Sequence, residues 1–125
     1  MSNVNNAIRI STSLDKFFRY WFEFLKPFHK LTDREMDVIT CFVRHRFELS
    51  KKINDSDILD KVLMSDDIRK KIREECNLTL AHFQVIMGKL RKNKLIIDGK
   101  INPKFIPKIK EEDSSFQLVL YFEVK

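Results

Sequence analysis

Glycine and proline are scarce in this chain of 125 residues, which holds two of the former and three of the latter. That scarcity excludes collagen-like, linker-rich and low-complexity architectures and predicts helices joined by short loops. Cysteine occurs only at Cys41 and Cys76, too rarely for a disulfide-stapled secreted scaffold. Both lie in helical apolar patterns and are expected as buried, reduced thiols suited to a cytosol, with a disulfide between them as the less favoured alternative. No apolar run reaches the length of a membrane span, and Met1 to Ile10 lacks the apolar core of a secretory leader. The expectation is a protein kept inside the cell or packaged there, with no membrane partner.

Catalytic signatures are missing as well. No glycine-rich phosphate loop, no Ser/His/Asp or Cys/His arrangement and no paired catalytic carboxylates can be picked out. His29, His45 and His82 share no metal-ligand spacing. Cys41 and His45, four residues apart, would make half a zinc site, but no second pair follows. Asp66-Asp67 and Glu74-Glu75 read as helix-start charges and a solvated face, and Arg44-His45-Arg46 as a solvated basic edge. The chain is therefore expected to be no enzyme and to take no cofactor, metal or small-molecule substrate.

What is present is a globular balance of 43% hydrophobic and 34% charged residues, enough for one core. Lys and Arg number 24 against 18 Asp and Glu, a net charge of +6. The excess is compatible with nucleic acid but is spread along the chain, so it does not by itself select a partner.

The organisation expected is a single domain, 1–125, with an N-terminal arm at 1–12, an aromatic helix at 13–27 and a core at 31–124. Ser13 caps the first helix, which runs to about Lys26 with Pro27 beyond its end. Leu14, Phe17, Phe18, Trp21 and Leu25 form its core stripe. Tyr20, Phe22 and Phe24 fall off that stripe, so the helix is aromatic nearly all round and part of its cover is expected from a second molecule. Thr32 and Glu35 form a capping box for a helix through Met36, Val38, Ile39, Phe42, Val43 and Phe47. A short helix follows at Ile58 to Leu63. Ser65 then caps a helix from Asp66 to about Cys76, with Asp66 and Asp67 at its positive end. Asn77-Leu78-Thr79 is a turn, and Thr79 caps a helix from Leu80 to Asn93. Leu95-Ile96-Ile97, Asp98-Gly99 and Lys100-Ile101 predict a tight hairpin. Phe116 to Val124, rich in β-branched and aromatic residues, predicts a closing strand.

Helix, three-residue turn, and a second helix ending Leu90-Arg91-Lys92-Asn93-Lys94-Leu95-Ile96 is a helix-turn-helix layout. With Leu78-Thr79 opening the second helix, this segment resembles the winged-helix superfamily, in particular its repressor-like and phage or plasmid initiator-like members. The Leu31-Thr32-Asp33-Arg34-Glu35 opening resembles the first helix of such domains, and the resemblance covers about residues 31–124. Where the family usually has glycine this chain has Lys94, so the helix is expected to exit through a left-handed Asn93. The resemblance implies a mainly α fold with a small C-terminal antiparallel β-sheet, an α+β winged helix-turn-helix.

Two functions are compatible with it. For reading double-stranded DNA, Gln84 would contact base edges, and Lys89, Arg91, Lys92, Lys100 and Lys104 would meet phosphate. Against that stand Leu80, Ala81 and Val85, which face outward on the second helix and suit protein. Glu111-Glu112-Asp113 is expected at the wing tip, where carboxylates would repel DNA. The favoured expectation is a structural interaction protein that binds protein partners, in a larger assembly or as a homo-oligomer, through Tyr20, Phe22, Phe24, Leu80, Ala81 and Val85. Small size and a Lys-, Asn- and Ile-rich composition resemble proteins of tailed bacteriophages, which would make it a ring, adaptor or auxiliary capsid component found in the virion, and otherwise in the cytoplasm. A DNA-binding transcription regulator or replication protein is the alternative.

Overall fold

A computed structural model describes residues 7–125. Of the expected N-terminal arm, residues 1–6 lie outside the described residues, and 7–13 carry no regular secondary structure. The fold is mainly helical, with one small antiparallel sheet.

Ser13 caps α1 (Leu14–Phe24) by accepting a hydrogen bond from the Lys16 amide. The chain then departs from the expected single helix. It breaks at Leu25 and restarts as a one-turn helix, α2 (Lys26–His29), in which Pro27 lies within the first two positions, where its missing N–H costs nothing. α2 folds back over α1 and ends at Lys30, in the left-handed region with φ 56°. The predicted capping box of Thr32 and Glu35 is in place at the start of α3 (Asp33–Ser50), the longest helix and the centre of the molecule. Arg19 ties α1 to the first turns of α3, with its guanidinium 2.6 Å from Asp37 and 3.6 Å from Asp33.

Asp55 caps α4 (Ser56–Leu63) and Ser65 caps α5 (Asp66–Glu75). Thr79 caps α6 (Leu80–Lys92) by accepting from the His82 amide. β1 (Ile96–Ile97) and β2 (Lys100–Ile101) pair antiparallel, Ile96 opposite Ile101. The Asp98-Gly99 turn between them has both φ angles positive, 54° and 73°, as a tight two-residue hairpin requires. A short 3-10 turn, Pro103–Phe105, follows.

The core is one continuous cluster. Phe18 and Phe22 of α1, Met36, Ile39 and Phe42 of α3, Leu63, Ile72, Leu90, Leu95 and Ile101 all belong to it. The hairpin joins it through alternation: Ile96 and Ile101 point in, Ile97 and Lys100 out.

The strand expected at Phe116 to Val124 does not form; this segment has no regular secondary structure. Two-residue β1 and β2 offer too short an edge for a nine-residue strand to join, and a strand without a ladder partner leaves its N–H and C=O groups to water.

Candidate macromolecular interface

The surface of interest is built from the α5–turn–α6 unit, and backbone chemistry explains its shape. α5 ends in a Schellman motif. Cys76 is the C-cap and Asn77 takes the left-handed conformation, φ 56°. The Leu78 amide donates to the Arg73 carbonyl at 3.1 Å, and the Asn77 amide to Glu74 at 3.0 Å. Asparagine tolerates positive φ better than most residues, and Leu78 is buried beyond it as the hydrophobic anchor that usually accompanies this motif.

α6 ends the same way one residue later than expected. Asn93 has φ −88°, whereas Lys94 has φ 61°, with Lys94 donating to Arg91 and Leu95 to Leu90. The left-handed residue is thus Lys94, because Leu95 must reach the core and only a turn centred on Lys94 delivers it there. Asn102 reinforces the exit: its side-chain amide donates to the Lys94 carbonyl at 2.9 Å.

Phe83, Ile86, Met87 and Leu90 bury one side of α6. The opposite side is exposed and carries Leu80, Ala81, Gln84, Val85, Gly88, Lys89 and Lys92, as expected from the sequence, and Arg91 is exposed as well. Between α5 and α6 runs an open groove of about 560 Å³, lined by Arg69, Lys70, Arg73, Leu80, Gln84 and Arg91 among others. Leu80, Gln84 and Arg91 are therefore brought together in it, while Ala81, Val85, Lys89 and Lys92 are not among its lining residues. Arg69 is held by Asp66 at 2.8 Å, and Arg73 donates to the Leu78 carbonyl at 3.2 Å. Among the described residues Lys70 and Arg91 make no ion pair. The groove is thus cationic, with one carboxylate, Asp66, against four basic side chains. Sequence reading missed Arg69, Lys70 and Arg73, although their three- and four-residue spacing on α5 puts them on one helical side.

The remaining predicted DNA contacts separate from this site. Lys100 on β2 and Lys104 in the 3-10 turn are exposed but do not line the groove. The acidic cluster is not at the hairpin tip, which is Asp98-Gly99. Glu111 instead lies 3.6 Å from Lys51 just beyond α3, and Asp113 closes a small turn by accepting from the Lys110 amide.

The aromatic face of α1 divides in two. Phe22 is fully buried, contrary to the expectation that it contacts a partner. α2 returns the chain over it, and His29 lies with its ring centre 6.0 Å from the Phe22 ring. Tyr20 and Phe24 do remain exposed, four residues apart on one helical side, and Phe28 of α2 is exposed as well.

A second apolar surface belongs to the C-terminal segment. Phe116 packs edge-on against Phe17 at 5.0 Å and Trp21 at 5.6 Å between ring centres. Beyond this anchor the chain is uncovered: Val119, Tyr121, Phe122 and Val124 are 78, 85, 81 and 93 % exposed. Isolated exposed apolar residues are ordinary, but a consecutive run of this size is not.

A polar cluster joins α3 to the end of α5. Cys41 and Cys76 are both free and buried, with their sulfur atoms 3.5 Å apart. Arg44 and His45 reach Glu75 at 3.0 and 2.9 Å, so His45 spends its Nε2 on a carboxylate. The hydrogen bond between the thiols, with Arg44 nearby, favours the ionised form of Cys41; the same bond and burial push Cys76 upward. Among the described residues no group of three or more His, Cys, Asp or Glu side chains is arranged to hold a metal.

No protein-family model matches this chain, and no curated protein sequence or solved structure matches it.

Proposed function

We propose that this protein is a non-enzymatic winged-helix-type interaction module that associates with copies of itself within a larger protein assembly. The carrying observation is the uncovered apolar segment from Leu118 to Val124. It has the composition of a strand but pairs with no strand among the described residues. The exposed aromatics Tyr20, Phe24 and Phe28 present a second uncovered surface on α1 and α2. One copy thus carries both a strand-like apolar segment and an apolar helical surface, and the tail of one covering the aromatics of the next would bury both. The winged-helix reading rests on α5, the Asn77 turn, α6 and the hairpin following in that order. Membership of a tailed-phage virion is supported by small size and a Lys-, Asn- and Ile-rich composition.

Light scattering of the full chain across a concentration series tests the proposal. The full chain should show a particle mass that is a multiple of 15.0 kDa, changing little with added salt because apolar burial is not screened. A chain ending at Ser115 should stay folded and monomeric. A full chain that remains monomeric at the highest concentration would reject self-association.

The cationic groove favours a second reading, binding of duplex DNA along α6. Its signature is different. Affinity would fall with salt at a log–log slope of about −0.9 for each phosphate neutralised. Lys70→Gln and Arg91→Gln would each reduce that slope, and Gln84→Ala would lower sequence preference by about 1–3 kcal/mol. If protein packs on this surface, Leu80→Ala and Val85→Ala should cause the larger losses.

A further inference from the structure

We propose that Cys41 and Cys76 form a peroxide-responsive dithiol switch whose oxidised state staples α3 to the turn that presents α6. The two cysteines are 35 residues apart in the chain, on different elements, yet their sulfur atoms lie 3.5 Å apart. A disulfide bond is about 2.05 Å long, so the sulfurs must close by roughly 1.5 Å. The two residues are buried but retain 9 and 7 % exposure, so a small oxidant suits the pair better than a bulky one.

The surroundings assign different roles to the two sulfurs. Cys41 lies on α3, where the hydrogen bond with Cys76 at 3.5 Å and then an Arg44 nitrogen 3.8 Å from its sulfur, shared with Glu75, favour the thiolate. Cys76 keeps its proton, which it shares with Cys41 and, at 3.9 Å, with the Asp37 carbonyl. The Cys41 thiolate attacks one oxygen of hydrogen peroxide, the O–O bond breaks, and hydroxide leaves; Cys41 becomes a sulfenic acid. The Cys76 sulfur then attacks that sulfur, its own proton goes to the departing hydroxyl, and water leaves as the S–S bond forms. In total the two thiols give two electrons and two protons to peroxide, producing one disulfide and two waters. A thiol reductant reverses the change.

The position of the bond gives it a consequence. Cys76 is the C-cap of α5, and its carbonyl already accepts from Arg34 at 2.9 Å. A covalent link there closes a loop containing α4 and α5 and fixes the start of the Asn77 turn against α3. Because a cross-link chiefly restricts the unfolded chain, the oxidised protein should also be harder to melt.

The test uses the full-length folded protein, treated with graded hydrogen peroxide, then denatured and alkylated without reductant. Intact mass should show the loss of two hydrogens, no alkylation of either cysteine, and no covalent dimer, with full recovery after dithiothreitol. The melting temperature of the oxidised protein should rise by about 5 °C or more. In Cys76→Ala, Cys41 should halt as a sulfenic acid that dimedone traps, whereas Cys41→Ala should leave Cys76 reduced at the same dose. Arg44→Gln should slow oxidation several-fold, and Arg44→Lys should restore most of the rate. The proposal is overturned if both cysteines stay alkylatable, if the cross-link joins two chains, or if the wild type accumulates sulfinic acid at Cys41 without bonding Cys76.

Discussion

The imidazole of His29 donates from Nε2 to the carbonyl of Phe22 at 2.7 Å, while its Nδ1 accepts from the Leu31 amide at 3.0 Å. These two bonds require the neutral ring protonated on Nε2, and the site is buried. Burial holds the pKa of His29 below its ordinary value.

Stability should therefore depend on pH in a defined direction. Below about pH 6.5 the unfolded chain takes up a proton that folded His29 resists, so acidification favours unfolding; above that pH the contribution is fully present. Urea midpoints measured between about pH 7.5 and 5 should fall with pH. His29→Gln, which keeps a donor and an acceptor but does not titrate, should flatten the slope. A wild-type slope unchanged in the variant would show that His29 is not its source.

Phe22 and Phe24 should behave oppositely despite being two residues apart. Phe22→Ala empties a buried site and should cost about 3–5 kcal/mol by chemical denaturation. Phe24→Ser alters an exposed ring and should shift stability by less than about 1 kcal/mol. Its effect should appear instead in the particle mass seen by light scattering.

Lys94 occupies a left-handed position that suits glycine. Lys94→Gly should stabilise the protein by about 0.5–1 kcal/mol, since relief of backbone strain exceeds the added freedom of the unfolded chain. The same change at Asn93, which has negative φ, should destabilise it. Paired thermal melts of the two variants decide the matter.

Trp21 is the only tryptophan and so reports on the tail anchor. Its indole donates to the Phe105 carbonyl at 2.8 Å, and one edge meets Phe116. Phe116→Ala should shift the fluorescence of Trp21 to longer wavelength and cost about 0.5–1.5 kcal/mol. Leu118→Ala, beyond the anchor, should leave the emission unchanged.

Much of the helical layout is legible from short-range chemistry. Ser13, Thr32, Ser65 and Thr79 each cap the helix predicted from them, because capping is decided within four residues. Asp98-Gly99 likewise marks its hairpin. What sequence reading misses depends on contacts far along the chain. Phe22 looks surplus to the stripe on α1 until α2 folds back over it, a reversal hidden by Pro27, which reads as a helix end although it also suits a helix start. The stretch Phe116 to Val124 has every local property of a strand, but pairing is a tertiary event and the described residues offer no edge of suitable length. Arg69, Lys70 and Arg73 acquire meaning only when α6 lies beside α5 to form a groove.

Phe116 sets a radius as well as a contact. It pins the chain to α1, and the uncovered apolar segment from Leu118 to Val124 extends from that point. Fully extended, that segment spans about 24 Å, most of the width of a small domain. A neighbour could therefore be engaged while the two folded bodies stand apart. If copies associate through this segment, as proposed, part of their spacing would be set by the reach of the tail, so neighbours at slightly different angles could be joined without changing the core.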